Sequence, residues 1–278
     1  MKLLIRFFNF YINASIHVAL AVLALLEVTD FLLNIPADNF LNTFVFFGTI
    51  AAYNFVKYGV EAEKYILVAT RYIKKIQVFS IICLLIALYS MFFLSKETLL
   101  FLLVMVALTG LYAIPVLPHT KNLRNLGGLK VFIVALVWAG TTVVLPAIAI
   151  SKVILWDIII ETIQRFLIVL ILLIPFEIRD LAYDSPDLKT IPQRFGVANT
   201  KVFGSFIVVV FFALTFLKES ILPLDIIAKG VLFILLGFCM FITKRDQKKY
   251  YASFWIESIP IFWWVVISIF YYFFNPAF

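Results

Sequence analysis

Long apolar runs decide the class of this chain before any motif does. The stretch 166–176 (FLIVLILLIPF) carries no charged or hydrogen-bonding side chain, and similar runs recur along all 278 residues. The chain is 64% hydrophobic and 14% charged, against roughly 45–50% and 25% for a soluble domain. A soluble two-domain enzyme, a disordered chain and a fibrous one are therefore excluded. Inside hydrocarbon every backbone polar group needs a partner within the chain, so only helices and closed β-barrels cross a bilayer. Barrel strands alternate apolar and polar residues, and these runs do not. The expectation is an all-α polytopic membrane protein.

A crossing takes about 20 mainly apolar residues. Nine stretches qualify: 11–29, 39–56, 76–95, 97–114, 131–150, 162–178, 202–217, 221–243 and 253–274. The first follows Lys2 and Arg6 and lacks a small-x-small cleavage site before Glu27, so it reads as an uncleaved helix. Basic residues in short loops set orientation. Of the 23 Lys and Arg, eighteen fall on one side, three (Lys96, Lys152, Lys218) on the other, and two (Arg165, Lys229) inside spans. That bias places the amino terminus in the cytoplasm and, with nine spans, the carboxyl terminus outside. Without a cleaved leader, a bacterial inner membrane is the expected location. The formal charge of +7 then reflects topology and contact with anionic lipid and gives no support for nucleic-acid binding.

Several polar residues fall within or beside the spans. His17 lies one helical turn from Asn13 and reads as its partner. Glu27, Glu257 and Lys229 read as side chains that reach to the interfaces. Trp255, Trp263 and Trp264 read as anchors and lipid-facing surface of the last helix. Cys83 and Cys239 sit in apolar runs and read as small hydrophobes.

Ionisable groups in a spanning bundle collect at its ends or in a cavity, and the richest stretch follows the sixth span. It runs Ile174-Pro-Phe-Glu-Ile-Arg-Asp-Leu-Ala-Tyr-Asp-Ser-Pro-Asp-Leu-Lys-Thr-Ile-Pro-Gln-Arg-Phe-Gly196. Asp180 and Asp184 are four residues apart and share a helix face. They repel one another, and the carboxyl end of a helix already disfavours anions. Arg179, Lys189 and Arg194 can compensate, and so can Mg²⁺, which takes one or two carboxylates together with substrate phosphates. A solvated helix end without any ligand is the plain alternative.

Arg179-Asp180-Leu-Ala-Tyr-Asp184, followed by Lys189-Thr190-Ile191-Pro192 and Gly196, resembles the second aspartate-rich motif of the UbiA superfamily of intramembrane prenyltransferases. The resemblance extends to the whole frame of nine helices and implies one UbiA-like domain over 1–278 around a central cavity. It also implies an isoprenyl diphosphate held through Mg²⁺ and a lipophilic acceptor in the membrane. Carried over, Asp180 and Asp184 would hold the metal, with Asp187 as a helper. Asn54, Lys57, Lys121, Arg124, Lys130 and Lys189 would bind the substrate.

The first aspartate motif of that family is missing. With its asparagine on Asn54, the three aspartate positions carry Phe55, Tyr58 and Ala62, and Lys57 sits among them. Two readings follow. In one, Lys57 supplies the positive charge of a lost metal and the chain transfers an isoprenyl group with a single Mg²⁺. In the other, the chain is a catalytically inactive UbiA-like protein that binds a lipid or a protein partner. A secondary transporter ranks below both, since deep charges are scarce.

Overall fold

In the computed structural model, residues 2–58, 70–113, 127–150 and 155–274 are described. Ten helices follow in chain order: α1 (Lys2–Asn13), α2 (Ile16–Leu33), α3 (Asn39–Tyr58), α4 (Arg71–Met91) and α5 (Lys96–Ala113), then α6 (Leu129–Ala149), α7 (Trp156–Asp180), α8 (Ile191–Leu217), α9 (Pro223–Ile242) and α10 (Ile259–Phe274). Seven stretches are long and apolar enough to cross a bilayer among the described residues: α2, α4, α6, α7, α8, α9 and the segment Tyr251–Tyr271. Nine crossings were expected. α3 and α5 lie where the second and fourth of them were placed and have 20 and 18 residues.

The first expected span is in fact two helices. Ala14 and Ser15 break the rod, Ser15 with φ 59°, and the apolar run that crosses starts at Ile16. The first turns of α1 leave Leu3, Leu4, Ile5 and Phe7 exposed. The break also removes the one-turn register between Asn13 and His17. Asn13 instead donates to the Tyr72 hydroxyl (3.1 Å). His17 Nε2 donates to the Phe254 carbonyl (3.0 Å), leaving Nδ1 to accept from Tyr11 (2.6 Å).

Sequence neighbours pack side by side. α3 pairs with α4, α7 lies between α6 and α8, α9 joins α8 to α10, and α10 returns to α2. One core runs through the ring, including Leu25, Trp138, Ile171, Phe211 and Leu236. Trp263, expected to face lipid, is buried there and donates to the Ala228 carbonyl (3.0 Å).

The amino-terminal end of α7 is joined to α8 and α9 by buried charge. Glu161 Oε2 meets Lys218 Nζ at 2.9 Å and Lys229 Nζ at 2.7 Å, and Asp225 closes the group on both lysines at 2.7 and 2.9 Å. Arg165 lies beside Glu161 at 3.7 Å, donates to the Leu25 carbonyl, Thr142 and Thr29, and stacks over Trp263. Lys229 does not reach for an interface: it is 0% exposed, and its ammonium is used on Glu161, Asp225 and Gln164. Burial alone would lower the pKa of Lys218, in the turn before α9, but the charges of Glu161 and Asp225 outweigh it and hold that pKa above the usual lysine range. Asp157 secures the same turn by accepting from the Glu219 and Ser220 amides.

At the other end, two backbones touch. Gly127 has φ +58°, and a Cβ there would stand 1.8 Å from the Leu188 carbonyl oxygen. Only glycine allows both the left-handed conformation and the approach. The contact sets the start of α6, and with it Lys130, against the loop that follows α7. Gly127→Ala is expected to cost on the order of 2 kcal/mol, read as a lower melting midpoint in detergent. Gly110→Ala, with nothing within 4 Å of the added carbon, should leave the midpoint unchanged.

Candidate active site

The loop after α7 is a chain of short, specified turns. α7 ends at Asp180, but the Asp184 amide still bonds to the Asp180 carbonyl (2.8 Å), so one more helical turn carries both aspartates forward. A 3₁₀ turn (Pro186–Leu188) follows, and Lys189 takes φ 50°. Thr190 then opens α8, its amide donating to Gln193 Oε1 (2.9 Å) while Gln193 Nε2 donates back to the Ser185 carbonyl (3.0 Å). Gly196, at φ 76° and ψ 165°, interrupts α8 after its first turn.

This loop closes over a cavity of about 810 Å³ between α2, α3, α6, α7 and the segment leading into α10. Its polar wall holds Lys57, Lys130, Glu177, Arg179, Asp180, Asp184, Lys249 and Glu257. The residue spacing explains the cluster on α7, because 177, 180 and 184 fall on one helical face. Lys130 reaches across from α6 to Glu177 Oε1 (2.8 Å) and Asp184 Oδ2 (3.4 Å). Arg179 folds onto Asp180 through Nε (2.7 Å) and Nη2 (3.2 Å). Lys57 donates to Ser15 Oγ (3.0 Å), and Glu257 lies within electrostatic reach of both Lys57 and Arg179.

Four of the expected site residues thus share one cavity: Asp180, Asp184, Lys57 and Lys130. Asn54 does not line it. Its amide is fully used, accepting from Ser15 and donating to the Ala14 carbonyl and Ser80, so it ties the α1–α2 break to α3 and α4. Lys189 also turns elsewhere, into a separate cleft between α6 and α8. Asp187 lies in the 3₁₀ turn, and its side chain is outside the described residues, as are Lys121 and Arg124. Four charged residues enter that were not expected in the site: Glu177, Arg179, Lys249 and Glu257. Glu177 follows from the heptad-like spacing to Asp184, a signal present in the sequence. Glu257 was expected at an interface, and only its packing reveals otherwise.

Tyr53 and Trp138, joined by a 3.0 Å hydrogen bond, line this cavity and a second, apolar one. The second occupies about 200 Å³ between α3, α5 and α6, walled by Phe44, Leu102, Met105 and Val137 among others. A charged cavity and an apolar one thus lie side by side, with this pair between them.

The path of the chain around that space decides its fold. It superposes on the structure of a UbiA homolog from Archaeoglobus fulgidus bound to GPP and Mg²⁺ with a TM-score of 0.64, over 94% of this chain and 98% of that one. The chain has the UbiA fold. The same homolog bound to DMAPP and Mg²⁺ gives the same score, and both are 14% identical to this chain. A structure of digeranylgeranylglyceryl phosphate synthase matches with a TM-score of 0.55 and 16% identity, over 97% of this chain and 98% of that one. No family model matches the sequence, and no curated protein sequence matches it.

Among the described residues no three His, Cys, Asp or Glu side chains are grouped to hold a metal by themselves. A cage made only of protein ligands is therefore a poor fit. A shared site fits better. Glu177 Oε2 is buried without a hydrogen-bond partner, and the carboxylates of Asp180 and Asp184 are about one-third and one-fifth exposed, at 31% and 19%. One or two of these carboxylates suit Mg²⁺ that keeps its waters and takes its remaining ligands from a phosphate group.

Proposed function

We propose that the chain is one UbiA-like domain, a divergent member of that superfamily, that transfers an isoprenyl group from an isoprenyl diphosphate to a lipophilic acceptor in the membrane. The observation that carries the reading is a charged cavity and an apolar cavity set side by side, with Tyr53 and Trp138 as their shared wall. A ligand with a diphosphate head and a hydrocarbon tail matches both halves. Support comes also from the fold neighbours that hold GPP or DMAPP with Mg²⁺. α3 and α5 complete nine crossings in this reading, with the charged cavity on the cytoplasmic side and the membrane a bacterial inner one.

Asp180 and Asp184 would hold Mg²⁺, with Glu177 in reach, and the metal would neutralise charge on the departing diphosphate. Lys57, Lys130 and Arg179 bring fixed positive charge to the same cavity. Preorganised cations aimed at a leaving group are usually the largest electrostatic contribution to such a step. Lys130 is held by Glu177 and Asp184, and Arg179 by Asp180; both would be free for phosphate if those carboxylates held Mg²⁺. Lys57 stands where relatives carry the first aspartate motif. Its ammonium replaces carboxylate-bound metal charge with charge on the protein. The acceptor needs no ionic recognition and would approach from the apolar side.

The test is release of diphosphate by the purified protein with Mg²⁺ and a panel of isoprenyl diphosphates, alongside Lys57→Met. Release that requires Mg²⁺ and falls about 10²-fold in the variant is expected. Release unaffected by Lys57→Met would remove lysine from its role. If no donor binds in the presence of Mg²⁺, by a melting shift in detergent, the lipid- or partner-binding reading replaces the enzyme.

A further inference from the structure

Lys189 belongs by sequence to the aspartate motif, yet the structure turns it away from the cavity that the motif serves. It lies instead on a cleft of about 590 Å³ between the starts of α6 and α8, with Arg194 beside it. The floor is apolar: Leu129, Phe132, Phe195 and Phe203 line it, each from 39% to 62% exposed. Among the described residues that line it, none is a carboxylate. Neither the Lys189 nor the Arg194 side chain makes an ion pair or a hydrogen bond among the described residues. Every other basic side chain on the α6–α7 wall beside it, Lys130 and Arg179, is already paired. Lys189 also holds φ 50°, a conformation that non-glycine residues adopt at a cost and that is worth reading as functional where it persists.

We propose that this cleft is a binding site for an anionic phospholipid. The phosphate group lies between Lys189 and Arg194, and one acyl chain runs along Phe132 and Phe203 toward the bilayer interior. Charge complementarity selects the occupant. Any lipid covers an apolar groove, but two cations with no acid opposite them among the described residues favour a headgroup of net negative charge. Arginine adds a planar fork that pairs phosphate oxygens two at a time. The site is separate from the aspartate cavity and does not depend on the activity proposed above. It bears on that cavity through geometry alone, since Lys189 directly follows the loop that Gly127 touches.

The experiment is a melting titration of the full chain in detergent with phosphatidylglycerol, with phosphatidylcholine and with inorganic phosphate. It is run on the wild type, on Lys189→Gln/Arg194→Gln, and on Lys244→Gln/Lys248→Gln. The last pair removes the same charge from exposed positions of another loop at the same end. Phosphatidylglycerol should raise the midpoint of the wild type and of the Lys244/Lys248 control. In the Lys189/Arg194 variant the apparent affinity should fall roughly 30-fold, from two basic contacts at the membrane surface. Equal response to phosphatidylcholine, an equal effect of phosphate alone, an unchanged variant, or an equally weakened control would each overturn the site. So would no shift with any lipid.

Discussion

Asp180→Asn/Asp184→Asn is expected to abolish Mg²⁺-dependent release of diphosphate, by about 10²–10³-fold or more, while leaving the fold intact. The argument rests on what the two carboxylates do in each state. The Arg179–Asp180 pair is about one-third exposed, and pairs so wetted are worth about 0–1 kcal/mol, while Lys130 loses a 3.4 Å contact to Asp184 and keeps its 2.8 Å bond to Glu177. Losing them should move the melting midpoint little. For a metal the same change is severe, because an amide offers a neutral oxygen where a hard cation needs charge. It also leaves Lys57, Lys130, Arg179 and Lys249 facing the cavity with only Glu177 and Glu257 to offset them. Diphosphate without metal should therefore still bind, or bind better. Rates and melting curves for the wild type and variant, each with and without Mg²⁺, test this. Activity within threefold of the wild type would show that the aspartates hold no catalytic metal.

The second large effect lies at the opposite end of α7. Glu161→Gln should destabilise the protein by about 3–5 kcal/mol, the usual result of leaving buried charge uncompensated, whereas Lys229→Met should cost much less. Three cations (Arg165, Lys218, Lys229) share two anions (Glu161, Asp225), and all five are buried. Removing Lys229 leaves two of each sign. Removing the Glu161 charge leaves three cations around Asp225, in a region where water cannot help. Glu161 also accepts from both lysines within 2.9 Å, so its amide replacement leaves two ammonium groups competing for one carboxylate. Melting midpoints in the same detergent would decide it. Equal losses from the two variants would mean that the network acts through packing and not through its charge balance.

Much of this was legible in the sequence because hydrophobic length is read one residue at a time. The helices fall close to where the apolar runs predict, and Asp180 and Asp184 do line one cavity. What escaped depends on partners distant in the chain. Lys229 looked like a side chain reaching for water because Glu161 is 68 residues away and no local pattern announces it. Trp263 looked lipid-facing because an aromatic near a span end usually is, and only the Ala228 carbonyl shows otherwise. The break at Ser15 was invisible because no proline or glycine marks it; it is held by Asn54, whose hydrogen bonds are all long-range. Lys189 was misplaced for a different reason. Asp180 and Asp184 earlier in the motif line the cavity, but the chain turns at Lys189, itself left-handed, and from there lines the cleft between α6 and α8.

The buried charge network gives the bundle two ends of unequal stiffness. Prying α7, α8 and α9 apart near Glu161 would draw charged groups into hydrocarbon, a motion with almost no room to begin. At the far end of α7, about 28 Å away by helical rise, separating Lys130 from Asp184 only exchanges a protein partner for water or phosphate. The helices behave as a clamp with a fixed heel and yielding jaws. The heel is held by buried charge, and the jaws by ion pairs that water can replace.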